Sequence, residues 1–236
     1  MEHRQVHTRQ AYQASHAGTS TGLNADVSKV LRNTYTLLAM TLAFSAVMAG
    51  VSMAVGLGRG ASLICSLGAL ALVWLVLPRT ANSTAGIGVV FAFTGLLGLS
   101  LGPLLSYYLA LPNGGAIVMQ ALGGTALVFF SLSAYVLTTK KDFSFMGGFL
   151  FAGLMVVIFA ALGGFVASLF GVDVSAFSLA ISAAIVLLMS GLILFDTSRI
   201  VNGGETNYIM ATTALYLNIY NLFTSLLHLI GAFSDD

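Results

Sequence analysis

The chain has 236 residues, of which 58% are hydrophobic and only 7% charged, with a mean hydropathy of +0.95 and a net charge of +1. A soluble domain carries about 25% charged residues, so this composition excludes an ordinary soluble domain and points to a polytopic membrane protein. The near-zero charge leaves no nucleic-acid footprint, and the single cysteine, Cys65, forms neither an internal disulfide nor a thiolate metal cage; it reads as a small buried hydrophobe.

Residues 1–28 are polar, rich in Gln, Ser, Thr, Ala and His, and show no apolar period. They read as a disordered cytoplasmic tail, followed by a membrane domain over residues 29–236. His3, His7 and His16 lie in that tail, with no carboxylate or thiol set to complete a metal site. The first apolar run is too long to be the core of a cleaved signal peptide, so it reads as a retained span.

A helix needs about 20 apolar residues to cross the hydrocarbon core. Seven such runs are expected as helices: 34–56, 61–78, 84–108, 114–138, 145–170, 174–198 and 208–232. They are separated by Gly-, Pro-, Asn- and charge-containing breaks such as Gly58-Arg59-Gly60, Pro112-Asn113-Gly114-Gly115 and Asn202-Gly203-Gly204-Glu205. With the N-terminus inside, the cytoplasmic face holds Arg4, Arg9, Lys29, Arg32, Arg79, Lys140, Lys141 and Arg199, and the outer face holds Arg59. Positive charge stays inside, so the N-terminus is expected in the cytoplasm and the acidic end, Asp235-Asp236, outside.

Small residues recur at close-packing spacing: Gly95, Gly98 and Gly102 in the third run, Ala160, Gly164 and Ala167 in the fifth, and Ser175, Ser178 and Ser182 in the sixth. Such residues let helix backbones approach in lipid. Pro103, inside the third run, is expected to kink or end that helix.

The last run carries the most pointed pattern. Asn218, Asn221, Ser225 and His228 follow steps of three, four and three, which puts them on one helical face. The rest of that helix is Leu, Ile, Tyr and Phe, so the polar stripe is expected to face other helices or a watery path, at the centre of the bundle. Asn218 falls near mid-membrane. His228 lies about 20 residues in, roughly 30 Å along the helix; it reads either as hydrogen-bonded structure or as a switch.

Asp196, near the inner end of the sixth run, reads either as a proton- or cation-sensitive gate or as an interfacial carboxylate near Arg199, and Arg79 is a second candidate partner on the same side. No HExxH, GxSxG, P-loop or GxGxxG signature is present, so no catalytic residue and no enzyme activity is expected.

Several stretches resemble the Bax-inhibitor family of seven-span proteins. They are Gly95-Leu96-Leu97-Gly98-Leu99-Ser100-Leu101-Gly102-Pro103-Leu104, Ser133–Ser144, Phe195-Asp196-Thr197, and Leu215–Phe223. The resemblance covers about residues 27–233. Within the family, residues 121–130 and 203–209 are similar to a bacterial branch that modulates FtsH, the ATP-dependent protease of the inner membrane. That resemblance implies a slowly processed substrate associated with FtsH and with the HflK–HflC complex, the tail being the handle the protease pulls. A flexible chain of this length reaches about 30 Å.

Other members of the family pass calcium under the control of two membrane Asp residues. Carried onto this chain, the first is Asp196 and the second position is Asn218. One carboxylate and one amide cannot share a proton as two carboxylates do, and a divalent cation loses one hard anionic ligand. Calcium is therefore expected only under the alternative of a pH-sensitive calcium or proton leak, with Asp196 as its ligand and Arg79 as a candidate latch. Spacing adds a difficulty. From a turn near Gly204, Asp196 is eight residues away and Asn218 fourteen, a mismatch of about 9 Å in straight helices. Contact then calls for an unwound helix end or a long loop.

Overall fold

In hydrocarbon a backbone must satisfy its own N–H and C=O groups, so each apolar run closes on itself as a helix. The computed structural model describes the backbone of residues 2–234 and the side chains of residues 26–234. Within them, seven helices are long and apolar enough to cross a membrane. They are α1 (Glu2–Val55, crossing over Asp26–Val55), α2 (Arg59–Thr80), α3 (Ala85–Leu109), α4 (Gly114–Thr139), α5 (Gly147–Leu169), α6 (Ser175–Val201) and α7 (Tyr208–Phe233). The fold is the all-α, seven-span membrane architecture expected from the sequence.

The helix that carries the first crossing runs through residue 34 without a break. Val30, Leu31 and Tyr35 pack on the core and Thr34 is buried, so the polar step at Arg32-Asn33 does not end the helix. No break marks the expected boundary between residues 28 and 29. Met1 and the side chains of residues 2–25, most of the expected disordered tail, lie outside the described residues.

Helix α7 sits among α1, α3, α4 and α6, the central place its stripe called for. Its Leu215, Tyr216, Leu222 and Leu227 are fully enclosed. Helix α5 packs only on α6 and the turn before it, and α2 packs chiefly on α3. Their outer faces present Leu63, Ile64, Leu67 and Trp74 (α2) and Phe149, Phe151, Phe159 and Phe165 (α5), the surface that lipid tails cover.

The glycine stripe of α3 is the seam with α1. A Cβ placed on Gly98 would lie 2.4 Å from the carbonyl oxygen of Ser45, and one on Gly102 would lie 2.0 Å from Ser52 Oγ. That closeness answers the Pro103 question. The proline does not end α3, which continues to Leu109. Pro103 has no N–H for the carbonyl of Leu99, four residues back. Ser52 Oγ crosses from α1 and donates to that oxygen at 2.7 Å, while Ser62 Oγ of α2 donates to the next carbonyl, Ser100, at 2.7 Å. Hydroxyls from neighbouring helices thus repair the broken ladder. Ser52→Ala is expected to destabilise the protein by about 1–3 kcal/mol, the cost of an orphaned buried carbonyl. Thermal unfolding in detergent checks this, and a parental melting temperature would contradict it.

Pro78 is handled differently. Leu72–Val76 form one turn of π-helix just before it, in which Leu77 N–H donates to Leu72 O, five residues back. The wide turn accommodates a proline ring that would collide with the carbonyl four residues earlier in a regular helix. The turn lies within one continuous span.

Candidate functional site

The helix ends beside the α6–α7 turn are tied by a polar network that starts at Ser198, a fully buried hydroxyl on α6. Ser198 Oγ accepts from Phe143 N at 2.8 Å and from Asn202 Nδ2 at 3.2 Å, and donates to Lys141 O at 3.2 Å. It therefore fixes the loop between α4 and α5. In that loop Lys140 adopts a left-handed conformation (φ 52°) and ends α4. Ser144 donates to Asp142 through its N–H at 2.8 Å and through its hydroxyl, and those bonds hold the Asp142 carboxyl below the usual range. Lys141 Nζ donates to Tyr135 Oη at 3.0 Å, which raises the Lys141 pKa.

The α6–α7 turn is equally determined. Gly203 takes φ +76°, and the N–H groups of Gly204 and Glu205 both donate to Arg199 O, at 2.7 and 3.0 Å. Asn207 then caps α7, its Oδ1 accepting from Ile209 N and Met210 N. Its Nδ2 donates to Ala81 O at 3.0 Å and Asn82 Oδ1 at 2.8 Å, which anchors the start of α7 to the end of α2.

Asp196 and Asn218 meet inside this frame. Asn218 Nδ2 donates to Asp196 Oδ2 at 2.7 Å, and Asn218 is 6% exposed. The 9 Å mismatch expected from spacing is closed without unwinding either helix. Side chains tilt toward the N-terminus of their own helix. Because α6 and α7 run antiparallel, Asp196 leans away from the connecting turn and Asn218 leans back toward it, so the two converge.

Among the described residues neither arginine forms an ion pair with Asp196. Arg199 pairs with Glu205 at 3.3 Å, the one ion pair among the described residues, and its guanidinium lies 5.6 Å from the Phe195 ring. That pair is partly exposed and contributes about 0–1 kcal/mol. Arg79 is exposed, and its Nη1 donates to Leu75 O on its own helix. Asp196 is thus a carboxylate bonded to an amide.

The rest of the stripe divides between neighbours. Asn221 Nδ2 donates to Leu217 O at 2.8 Å within α7. Asn221 also lines a cavity of about 210 Å³ with Ser66, Val73 and Leu97 of α2 and α3. Ser225 is buried at 5% exposure. His228 Nδ1 lies 2.8 Å from Ser182 Oγ, at the opposite end of α6 from Asp196. Another cavity, about 370 Å³, is away from all of these. It is an apolar space between α1, α3, α4 and α7, whose Ser45 and Tyr216 hydroxyls are bonded to each other at 2.7 Å.

Four buried hydroxyls have no partner among the described residues: Thr34 and Tyr35 of α1, Ser133 of α4 and Thr197 of α6. Among the described residues no three His, Cys, Asp or Glu side chains cluster as a metal set. The Asp196–Asn218 pair presents one carboxylate, with the amide nitrogen of Asn218 turned toward it.

Ser198 was not singled out from the sequence, Asn202 was read only as part of a break, and Asn207 only as the backward extension of the α7 stripe. Ser198 directly follows the Phe195-Asp196-Thr197 motif, and Asn207 precedes an apolar run in a helix-capping position; those were the signals available.

Residues 27–235 match the model of the family described as "Inhibitor of apoptosis-promoting Bax1". A membrane protein of Vibrio cholerae serotype O1 is 51% identical over 211 residues, covering 89% of this chain and 92% of its own. The "Modulator of FtsH protease YccA" of Escherichia coli K12 is 52% identical over 208 residues, covering 88% and 92%. Protein PA2604 of Pseudomonas aeruginosa is 50% identical over 211 residues, covering 89% and 92%.

Proposed function

The chain belongs to the Bax-inhibitor family, and from that premise we propose that it is a non-catalytic modulator of the membrane protease FtsH. The observation that carries this reading is its likeness, across nearly the whole membrane domain, to the E. coli protein named for that role. In this reading the chain lies in the bacterial inner membrane, with its N-terminus in the cytoplasm and its C-terminus in the periplasm. The distribution of Lys and Arg supports that orientation.

The polar N-terminal segment supplies the handle. FtsH draws on it, meets a bundle whose helix ends are stapled by Ser198, Asn202 and Asn207, and is held while the bundle resists unfolding. HflK and HflC, the companions of FtsH, associate with the complex. Deleting residues 2–20 is expected to leave the membrane domain folded and to lengthen the lifetime of the protein in cells at least several-fold. Pulse-chase turnover with and without FtsH checks this; turnover unchanged by the deletion would contradict it.

A second reading, a calcium or proton leak gated at Asp196, is favoured by the four buried hydroxyls of α1, α4 and α6 that have no partner among the described residues. Buried polar atoms of that kind normally hold water. Liposome flux separates the readings: a leak requires Asp196→Asn to change the flux of the parent.

A further inference from the structure

The cavity of about 370 Å³ between α1, α3, α4 and α7 has two long walls and a floor. The walls run from Leu42 to Met53 on α1 and from Val118 to Phe130 on α4, inside the membrane spans. At the helical rise each wall is about 16–18 Å long. The floor is Tyr216, Ile219 and Phe223 of α7, all buried. Ala46 and Ala49 on α1 and Ala126 on α4 are too small to fill the space between the walls.

The cavity is a slot that opens sideways. The backbones of α1 and α4 do not pack on each other. At one end the rings of Tyr35 and Phe129 bridge the two helices, with centroids 6.0 Å apart. Beyond that bridge the rim is Ala46, Leu122, Ala126 and Phe130, all exposed. Val47, Val51, Met119 and Leu127, exposed on the same two helices, carry the apolar surface on from the rim. The slot is therefore continuous with the face that the bilayer covers, and its long axis follows the helices.

The lining offers no donor to a polar ligand. Tyr216 Oη donates to Thr94 O at 3.3 Å and accepts from Ser45 Oγ at 2.7 Å. Thr125 donates to Ala121 O at 2.7 Å. Ser100 donates to Leu97 O at 2.7 Å, so it accepts from Tyr220 at 3.0 Å. Each hydroxyl has one hydrogen, and every hydroxyl hydrogen of the lining is committed within the protein. An apolar cavity of about 150 Å³ already stays dry and takes benzene, and empty space forfeits the dispersion contacts of its lining.

We propose that this slot binds one acyl chain of a membrane phospholipid. The chain enters between α1 and α4 and lies along α7, against Ile219 and Phe223. The headgroup stays at the membrane surface, because the slot holds no group to receive it. A chain seated here touches four helices at once, so it exchanges more slowly than one lying on the outer face of α5.

The test is photolabelling of the full chain in nanodiscs that contain a phospholipid with a diazirine midway along one acyl chain. Labelled residues are mapped by mass spectrometry. The expected result is label on Ile219 and Phe223, which lipid outside the slot does not reach, as strong as on the exposed Phe151 and Phe159 of α5. Ala126→Phe fills the slot from its rim and should cut the α7 label several-fold, leaving the α5 label unchanged. Ala46→Phe does the same from the opposite rim and serves if Ala126→Phe misfolds, as judged by melting. An unlabelled α7 floor, or a floor label that survives in the folded variants, would overturn the proposal. So would an unlabelled slot in a chain that runs as a dimer, since a second copy would then cover it.

Discussion

Asn218→Asp is expected to turn a quiet hydrogen bond into a cation-dependent site. In the parent, the Asn218 amide donates to Asp196 at 2.7 Å, and the nearest arginine on α6, Arg199, is committed to Glu205. The substitution removes the donor and sets two carboxylates face to face in a place lined by helices. A bond to a charged group contributes about 1.5–3 kcal/mol, and two unit charges 4 Å apart repel by about 4 kcal/mol at an effective dielectric of 20. The pair cannot stay doubly ionised without help, so a proton or cation must enter. Calcium should therefore raise the melting temperature of the variant and leave the parent unchanged. At a hundredfold excess over its dissociation constant, a ligand stabilises by about 2.7 kcal/mol. Thermal unfolding with and without calcium checks this. A variant that melts like the parent in both conditions would show that position 218 does not govern the chemistry of Asp196.

Gly98→Leu is expected to abolish folding of the bundle, and Gly98→Ala to cost at least about 1–3 kcal/mol, the usual penalty of overpacking. The obstacle at Gly98 is backbone: the Ser45 carbonyl, 2.4 Å from where a Cβ would stand. A side-chain tip could swing aside, but a helix backbone cannot. Separating α1 from α3 would also pull Ser52 from Leu99 O and strain the Ser45–Tyr216 bond, so the losses compound. Gly123→Ala is the control. Nothing lies within 4 Å of its Cβ position, and alanine is favoured over glycine in a helix interior by about 0.5–1 kcal/mol. Yield and monodispersity in detergent, followed by melting, distinguish the three. A Gly98→Leu protein as stable as Gly123→Ala would refute the tight seam.

The seven crossings were legible because each is a long apolar run, and no other backbone arrangement satisfies such a run in lipid. The central place of α7 was legible from its stripe, since Asn218 and His228 must face partners somewhere. What hid from the sequence was pairing at a distance. Pro103 looks like a helix breaker until Ser52, 47 positions before Leu99, is seen to supply the missing donor. Pro78 looks the same, but is absorbed by a π turn within its own helix. Counting residues from the turn separated Asp196 from Asn218, because a count ignores the opposite tilt of side chains on antiparallel helices. Ser182 and His228 were each noted for their spacing, yet nothing in either segment named the other.

An amide at position 218 satisfies Asp196 with one hydrogen bond and leaves no second anion to demand a counter-ion. The bundle stapled at Ser198, Asn202 and Asn207 fits the proposed role, in which the chain acts by occupying a protease.

Co-purification from native membranes in mild detergent, without crosslinker, tests that claim most directly. Recovery of FtsH together with HflK and HflC is the expected result, with recovery lost when residues 2–20 are deleted. A protein that purifies free of FtsH, while folded and at native abundance, would contradict the account.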